Sequence, residues 1–92
     1  MRPERLQAVA RGRVQGVGFR QFVLQRAVEL ELAGYVRNHW DRSVEVVAEG
    51  ERAALEQLLE ALRRGPRVAN VAGVDTLWMA ASGEFDGFEI RY

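Results

Sequence analysis

The chain has 92 residues, with 13 acidic side chains balanced by 13 arginines for a formal net charge of zero. Neither lysine nor cysteine occurs, which excludes Schiff-base chemistry, a Walker A phosphate loop, thiolate nucleophiles, disulfides and zinc–thiolate sites. The one histidine, His39, cannot build a multi-histidine metal site, and zero net charge argues against general attraction to nucleic acid or membranes. The length suits one domain, 1–92, around one core. No apolar run is long enough to span a bilayer, and no signal peptide is visible, so a cytoplasmic protein is expected.

Residues 5–12 alternate, with Leu6, Ala8 and Ala10 on one face and Gln7, Val9 and Arg11 on the other, as in a half-buried strand. Gly16 and Gly18 interrupt the alternation across 13–19. From Phe19 the period becomes helical through Phe22, Val23, Ala27 and Leu30, and Gly34 is the expected stop. Tyr35 to Trp40 and Val44 to Glu49 read as a hairpin turning at Asp41-Arg42-Ser43. Leu55, Leu58, Leu59 and Leu62 form the stripe of a second helix that ends at Arg63-Arg64-Gly65-Pro66. Val71 to Met79 and Phe88 to Tyr92 are the last strands, expected to share an edge or form a small hairpin. The order β-α-β-β-α-β predicts an α+β, ferredoxin-like sandwich, an antiparallel sheet with two helices on one face.

The segment Gly12-Arg13-Val14-Gln15-Gly16-Val17-Gly18-Phe19-Arg20 leaves the first strand and enters the first helix. Two glycines let its amides curl inward, and the positive end of the helix dipole points to the same place. With an arginine at the helix start, this is a predicted site for a tetrahedral dianion, held by amides and a guanidinium fork. It is not a dinucleotide fingerprint, because Arg20 and Gln21 stand where a third small residue is needed.

The run GRVQGVGFR resembles the signature of acylphosphatases, and GYVRNHWDRSVEVVAEG is similar to that family's second signature. The resemblance continues through Gly65-Pro66 to the ending Phe88-Glu89-Ile90-Arg91-Tyr92. It implies the ferredoxin-like fold and metal-free, cofactor-free hydrolysis of small-molecule acyl phosphates to carboxylate and inorganic phosphate, with phosphate also an inhibitor. It further implies that Arg20 binds the phosphoryl group, that Asn38 orients the attacking water, and that Gln15, Gly16, Val17, Gly18 and Phe19 form the backbone cradle. Two positions depart from the family pattern, Glu31 and Arg42, where glycine is common. Arg42 in the hairpin turn is mildly strained if its φ is positive.

The remaining conspicuous residues read as structure. His39 should point away from Asn38 across the strand, as a surface or packing histidine. Trp40 and Trp78 are expected to be partly buried sheet aromatics rather than an acyl pocket. Glu45, Glu49, Glu56 and Glu60 are expected on solvated faces. The competing reading is a non-catalytic phosphate-binding or regulatory module on the same fold. An RNA-binding sheet is disfavoured because Val44-Glu45-Val46-Val47-Ala48 displays no stacking aromatic. A monomer without nucleic-acid or membrane partners is the expectation.

Overall fold

Seven elements form the fold over residues 2–92, the part of the chain that the computed structural model describes. In chain order they are β1 (Glu4–Arg13), α1 (Phe19–Glu29), β2 (Ala33–Asn38), β3 (Val44–Gly50), α2 (Arg52–Arg64), β4 (Asn70–Ala80) and β5 (Phe88–Arg91). The period-2 pattern places β1 as expected, with Leu6, Ala8 and Ala10 buried, and Val44, Val46 and Ala48 of β3 and Val36 of β2 are buried with them. Against this face α1 packs Phe19, Val23 and Ala27, and α2 packs Leu55, Leu58, Leu59 and Leu62. The two helices touch each other, α1 lying over β2 and β5 and α2 over β1 and β4, so both cover one face.

The sheet order is β4-β1-β3-β2-β5. All pairs are antiparallel except β2–β5, which is parallel, so the sheet is mixed rather than wholly antiparallel. The last two strands share no edge and form no hairpin; they occupy opposite edges. Residues 81–87 join them beneath the sheet, and about seven extended residues span the four interstrand steps involved. Glu49 holds this crossing in place. Its carboxylate accepts from Arg5 Nε at 2.6 Å, from the amide and hydroxyl of Ser82 at 2.8 and 3.0 Å, and from the Gly83 amide at 3.0 Å. Glu49 is therefore a buried fastener, not the solvated residue that strand alternation on an uncovered face suggested.

Helix α1 ends earlier than Gly34. The Glu31 and Leu32 amides donate to Val28 and Ala27 carbonyls at 3.1 and 2.9 Å, and Glu31 carries the left-handed φ of 57°. This is a Schellman motif with glutamate at the position glycine usually takes. Gly34 lies inside β2, where an added Cβ would collide with the Val47 carbonyl oxygen. Its glycine serves close strand approach rather than helix termination.

The winding fixes where the site is. The ends of β1, β2 and β5 and the starts of α1, β3 and β4 all lie at one end of the molecule, with the end of α2. The loop 14–18 and the β2–β3 turn therefore face each other there.

Candidate active site

Gly16 and Gly18 carry φ of 73° and 75°, and Gly18 is the N-cap of α1 with no side-chain cap. A Cβ at either would meet no atom within 4 Å. The glycines are required by backbone angle, and the space beside them is open. The first backbone bond entering the helix runs from the Phe22 amide to the Gly18 carbonyl at 3.0 Å. Among the described residues, the amides of residues 15–21 donate to no backbone carbonyl. They form an unspent set of donors at the positive end of α1.

Beside them lies a cavity of about 170 Å³, lined by Gly16, Gly18, Phe19, Arg20 and Asn38, with Val14, Gln21, Ile90 and Tyr92 completing the wall. The cavity brings together five of the seven residues singled out in the sequence. Arg20 has no acidic partner among the described residues; its guanidinium carbon sits 5.0 Å from the centroid of the Tyr92 ring. The Asn38 side-chain oxygen is buried and accepts from no protein donor. A buried oxygen without a protein donor is a rare feature in a folded protein, and here it belongs to a residue that lines the cavity.

Gln15 and Val17 do not line the cavity. Val17 packs against the core. The Gln15 side chain turns to the β2–β3 turn, where its Nε2 donates to the carbonyls of His39 and Ser43 at 2.8 and 2.9 Å. Its amide hydrogens are thus committed to structure.

His39 points to the uncovered face, with Nε2 2.9 Å from Glu45 Oε1, an oxygen that also accepts from Arg37 Nε at 2.9 Å. Burial alone would push the Glu45 carboxyl up, but these two partners outweigh it and hold the carboxyl below its usual range. Trp40 is 94% exposed in the turn and lines nothing, contrary to the partly buried role expected for it. Trp78 is half-buried, with the Arg52 guanidinium stacked 3.6 Å from its ring centroid.

The sequence of residues 6–90 matches the family model described as acylphosphatase. The chain belongs to the acylphosphatase family. It is 50% identical over 88 residues to an acylphosphatase of Salinibacter ruber, covering 96% of this chain and 93% of that protein. It is 47% identical to an acylphosphatase of Syntrophotalea carbinolica over the whole of both chains. The crystal structure of acylphosphatase from Bacillus subtilis superposes with a TM-score of 0.93 at 36% identity, over 97% of this chain and 99% of that one.

Tyr92 and Ile90 were not singled out from the sequence as site residues. Their position depends on β5 lying beside β2, where Arg91 pairs with Arg37 and so brings Tyr92 level with Asn38. No local pattern encodes that pairing. The side-chain role of Gln15 likewise rests on carbonyls 24 and 28 positions away.

Proposed function

We propose that this chain is an acylphosphatase that works without metal or cofactor, using Arg20, the loop amides of residues 15–20 and Asn38. The guanidinium fork and the amides take the phosphoryl oxygens, and charge developing on them in the transition state meets donors already in place. Asn38 accepts from the water that attacks phosphorus on the side opposite the leaving group. The bond between phosphorus and the bridging oxygen breaks, and the carboxylate departs with the bonding pair. Carboxylate is a weak base, so departure needs no general acid. The water's proton passes to a non-bridging oxygen of the transferred group, giving carboxylate and monohydrogen- or dihydrogenphosphate.

The observation that carries this reading is the convergence of Arg20, Asn38 and the open end of α1 on one cavity. The product phosphate fits the same donors and so inhibits competitively. One domain, acting as a monomer in the cytoplasm, completes the reading.

The test is phosphate release from acetyl phosphate with chelator present, for wild type, Arg20→Ala and Asn38→Ala. Each substitution should lower kcat/KM by about 10²-fold or more while circular dichroism is unchanged. Normal turnover by Arg20→Ala sinks the proposal. Phosphate binding by the wild type without turnover moves the chain to a non-catalytic module.

A further inference from the structure

Zero net charge suggests that anion affinity arises only in the cradle. The ion pairs give a different picture. Arg26, Arg37, Arg64 and Arg91 are each matched by one acid, Glu29, Glu45, Glu60 and Glu89. These pairs leave no surplus. The remaining charges are sorted by end.

At the site end, Arg13, Arg20, Arg42, Arg63 and Arg67 have no acidic partner among the described residues. Only Arg11 stands between two acids there, Asp41 at 3.8 Å and Asp75 at 2.9 Å. Five arginines against one surplus acid leave four positive charges. At the far end Glu31, Glu51 and Asp86 have no basic partner among the described residues. Arg5 is shared by Glu49 and Glu84, and Arg52 by Glu4 and Glu56, which adds two surplus acids. With Arg2 counted against them, four negative charges remain, and the two ends cancel to the net zero of the sequence. The molecule is 35 Å long. A terminal carboxylate at Tyr92 would take one charge from the positive end and leave its sign.

The backbone adds to this separation at α1, whose positive end opens into the cavity, whereas Arg63 is set against the negative end of α2. Arg13, Arg42 and Arg67 remain as a rim. Arg13 ends β1 beside Asn70, and Arg67 lies in the turn after Gly65, whose position packs against Phe19 of the cradle. The Arg42 amide donates to the His39 carbonyl, which also accepts from Gln15. All three side chains are exposed, and none touches the cavity wall.

We propose that Arg13, Arg42 and Arg67 form an electrostatic funnel that draws anionic acyl phosphates to the cradle and favours those whose acyl part carries a further negative charge. The inference rests on the acylphosphatase reading of the same site. A field of this kind acts on capture, grows with ligand charge and decays within about 10 Å at 0.1 M salt. It leaves the chemical step alone, so kcat is unaffected.

The experiment measures kcat and kcat/KM for acetyl phosphate and for succinyl phosphate, which carries an extra carboxylate, from about 20 to about 300 mM salt. For wild type, kcat/KM should fall at least about threefold, more steeply for succinyl phosphate, with kcat constant. The triple variant Arg13→Gln/Arg42→Gln/Arg67→Gln should lose most of the salt slope and of the preference for succinyl phosphate, and keep kcat. Arg67→Gln alone should do so in part, which covers a triple variant that fails to fold. Arg2→Gln removes the same charge from the far end and should leave the slope intact. The proposal is overturned by a flat salt response, by an unchanged slope in the triple or single rim variant, or by an equal loss in Arg2→Gln. Binding of inorganic phosphate in the same salt series applies the same criteria without turnover. Wild type that binds phosphate with the expected slope but hydrolyses neither substrate refutes the enzymatic reading and upholds the funnel.

Discussion

The side-chain amide of Gln15 donates to the backbone carbonyl of His39 at 2.8 Å, and with its other hydrogen to Ser43 at 2.9 Å. The same two carbonyls accept the Arg42 and His39 amides that close the β2–β3 turn. One side chain therefore ties the cradle loop to the turn that follows Asn38. Two groups that would act on opposite sides of one phosphorus atom are held at a fixed separation by a residue that lines none of the cavity.

Loosening that tie should disturb alignment more than binding. Gln15→Ala is expected to lower kcat by about tenfold or more, with a smaller change in the inhibition constant of phosphate. Gln15→Glu places a carboxylate against two carbonyl oxygens and should be worse than alanine. A purely structural role predicts instead a lower melting temperature with kcat preserved, so steady-state kinetics and a thermal melt together decide.

Arg20→Lys separates charge from geometry. Lysine retains one positive charge but not the planar fork. Activity should fall to near the level of Arg20→Ala, and phosphate affinity should recover only in part. Recovery of full kcat in the lysine variant would show that a point charge suffices.

Glu49 predicts an acid sensitivity with a definite sign. Burial would raise its pKa, but the Ser82 amide, the Arg5 guanidinium, the Gly83 amide and the Ser82 hydroxyl hold it at about 2. The unfolded chain binds this proton near pH 4.5, so the contribution is complete above that value and is lost as pH falls towards about 2. Glu49→Gln should cost about 3 kcal/mol at neutral pH, and the difference from wild type should shrink through that acid window. Urea unfolding at several pH values measures it.

Glu31 and Arg42 hold left-handed φ of 57° and 74°. Neither side chain makes an ion pair or hydrogen bond among the described residues. Glu31→Gly and Arg42→Gly should each stabilise by about 0.5–1 kcal/mol, the relieved strain exceeding the added freedom of the unfolded chain. A rise of several degrees in melting temperature is the readout.

His39→Ala should retain turnover, because the ring is directed at Glu45 on the uncovered face and its loss removes only a half-exposed hydrogen bond. A pH–rate profile for this variant that loses a limb present in the wild type would contradict this.

Local patterns were sufficient wherever the physics was local. Alternation identifies the buried face of β1, the leucine stripe identifies α2, and the glycine pair marks the loop before α1. Most departures concern partners distant along the chain; Trp40, exposed at the β2–β3 turn, is an exception. Gly34 resembled a helix stop because its actual constraint, the Val47 carbonyl, belongs to another strand. Glu49 resembled surface because its donors come from residues 5, 82 and 83. The separation of β4 and β5 escaped notice because sequence neighbours usually pair, whereas here the loop crosses the whole sheet. Tyr92 was missed for the same reason. The paired charges were also legible only as a sum, and their sorting by end required the winding of the chain.

The parallel seating of β5 has one more consequence. Both signature runs lie within the first 50 residues, yet Ile90 and Tyr92, which complete the cavity wall, lie far downstream of both. That side of the cavity exists only when β5 is seated beside β2, so the shape of the cavity reports the pairing of distant strands rather than the presence of its motifs.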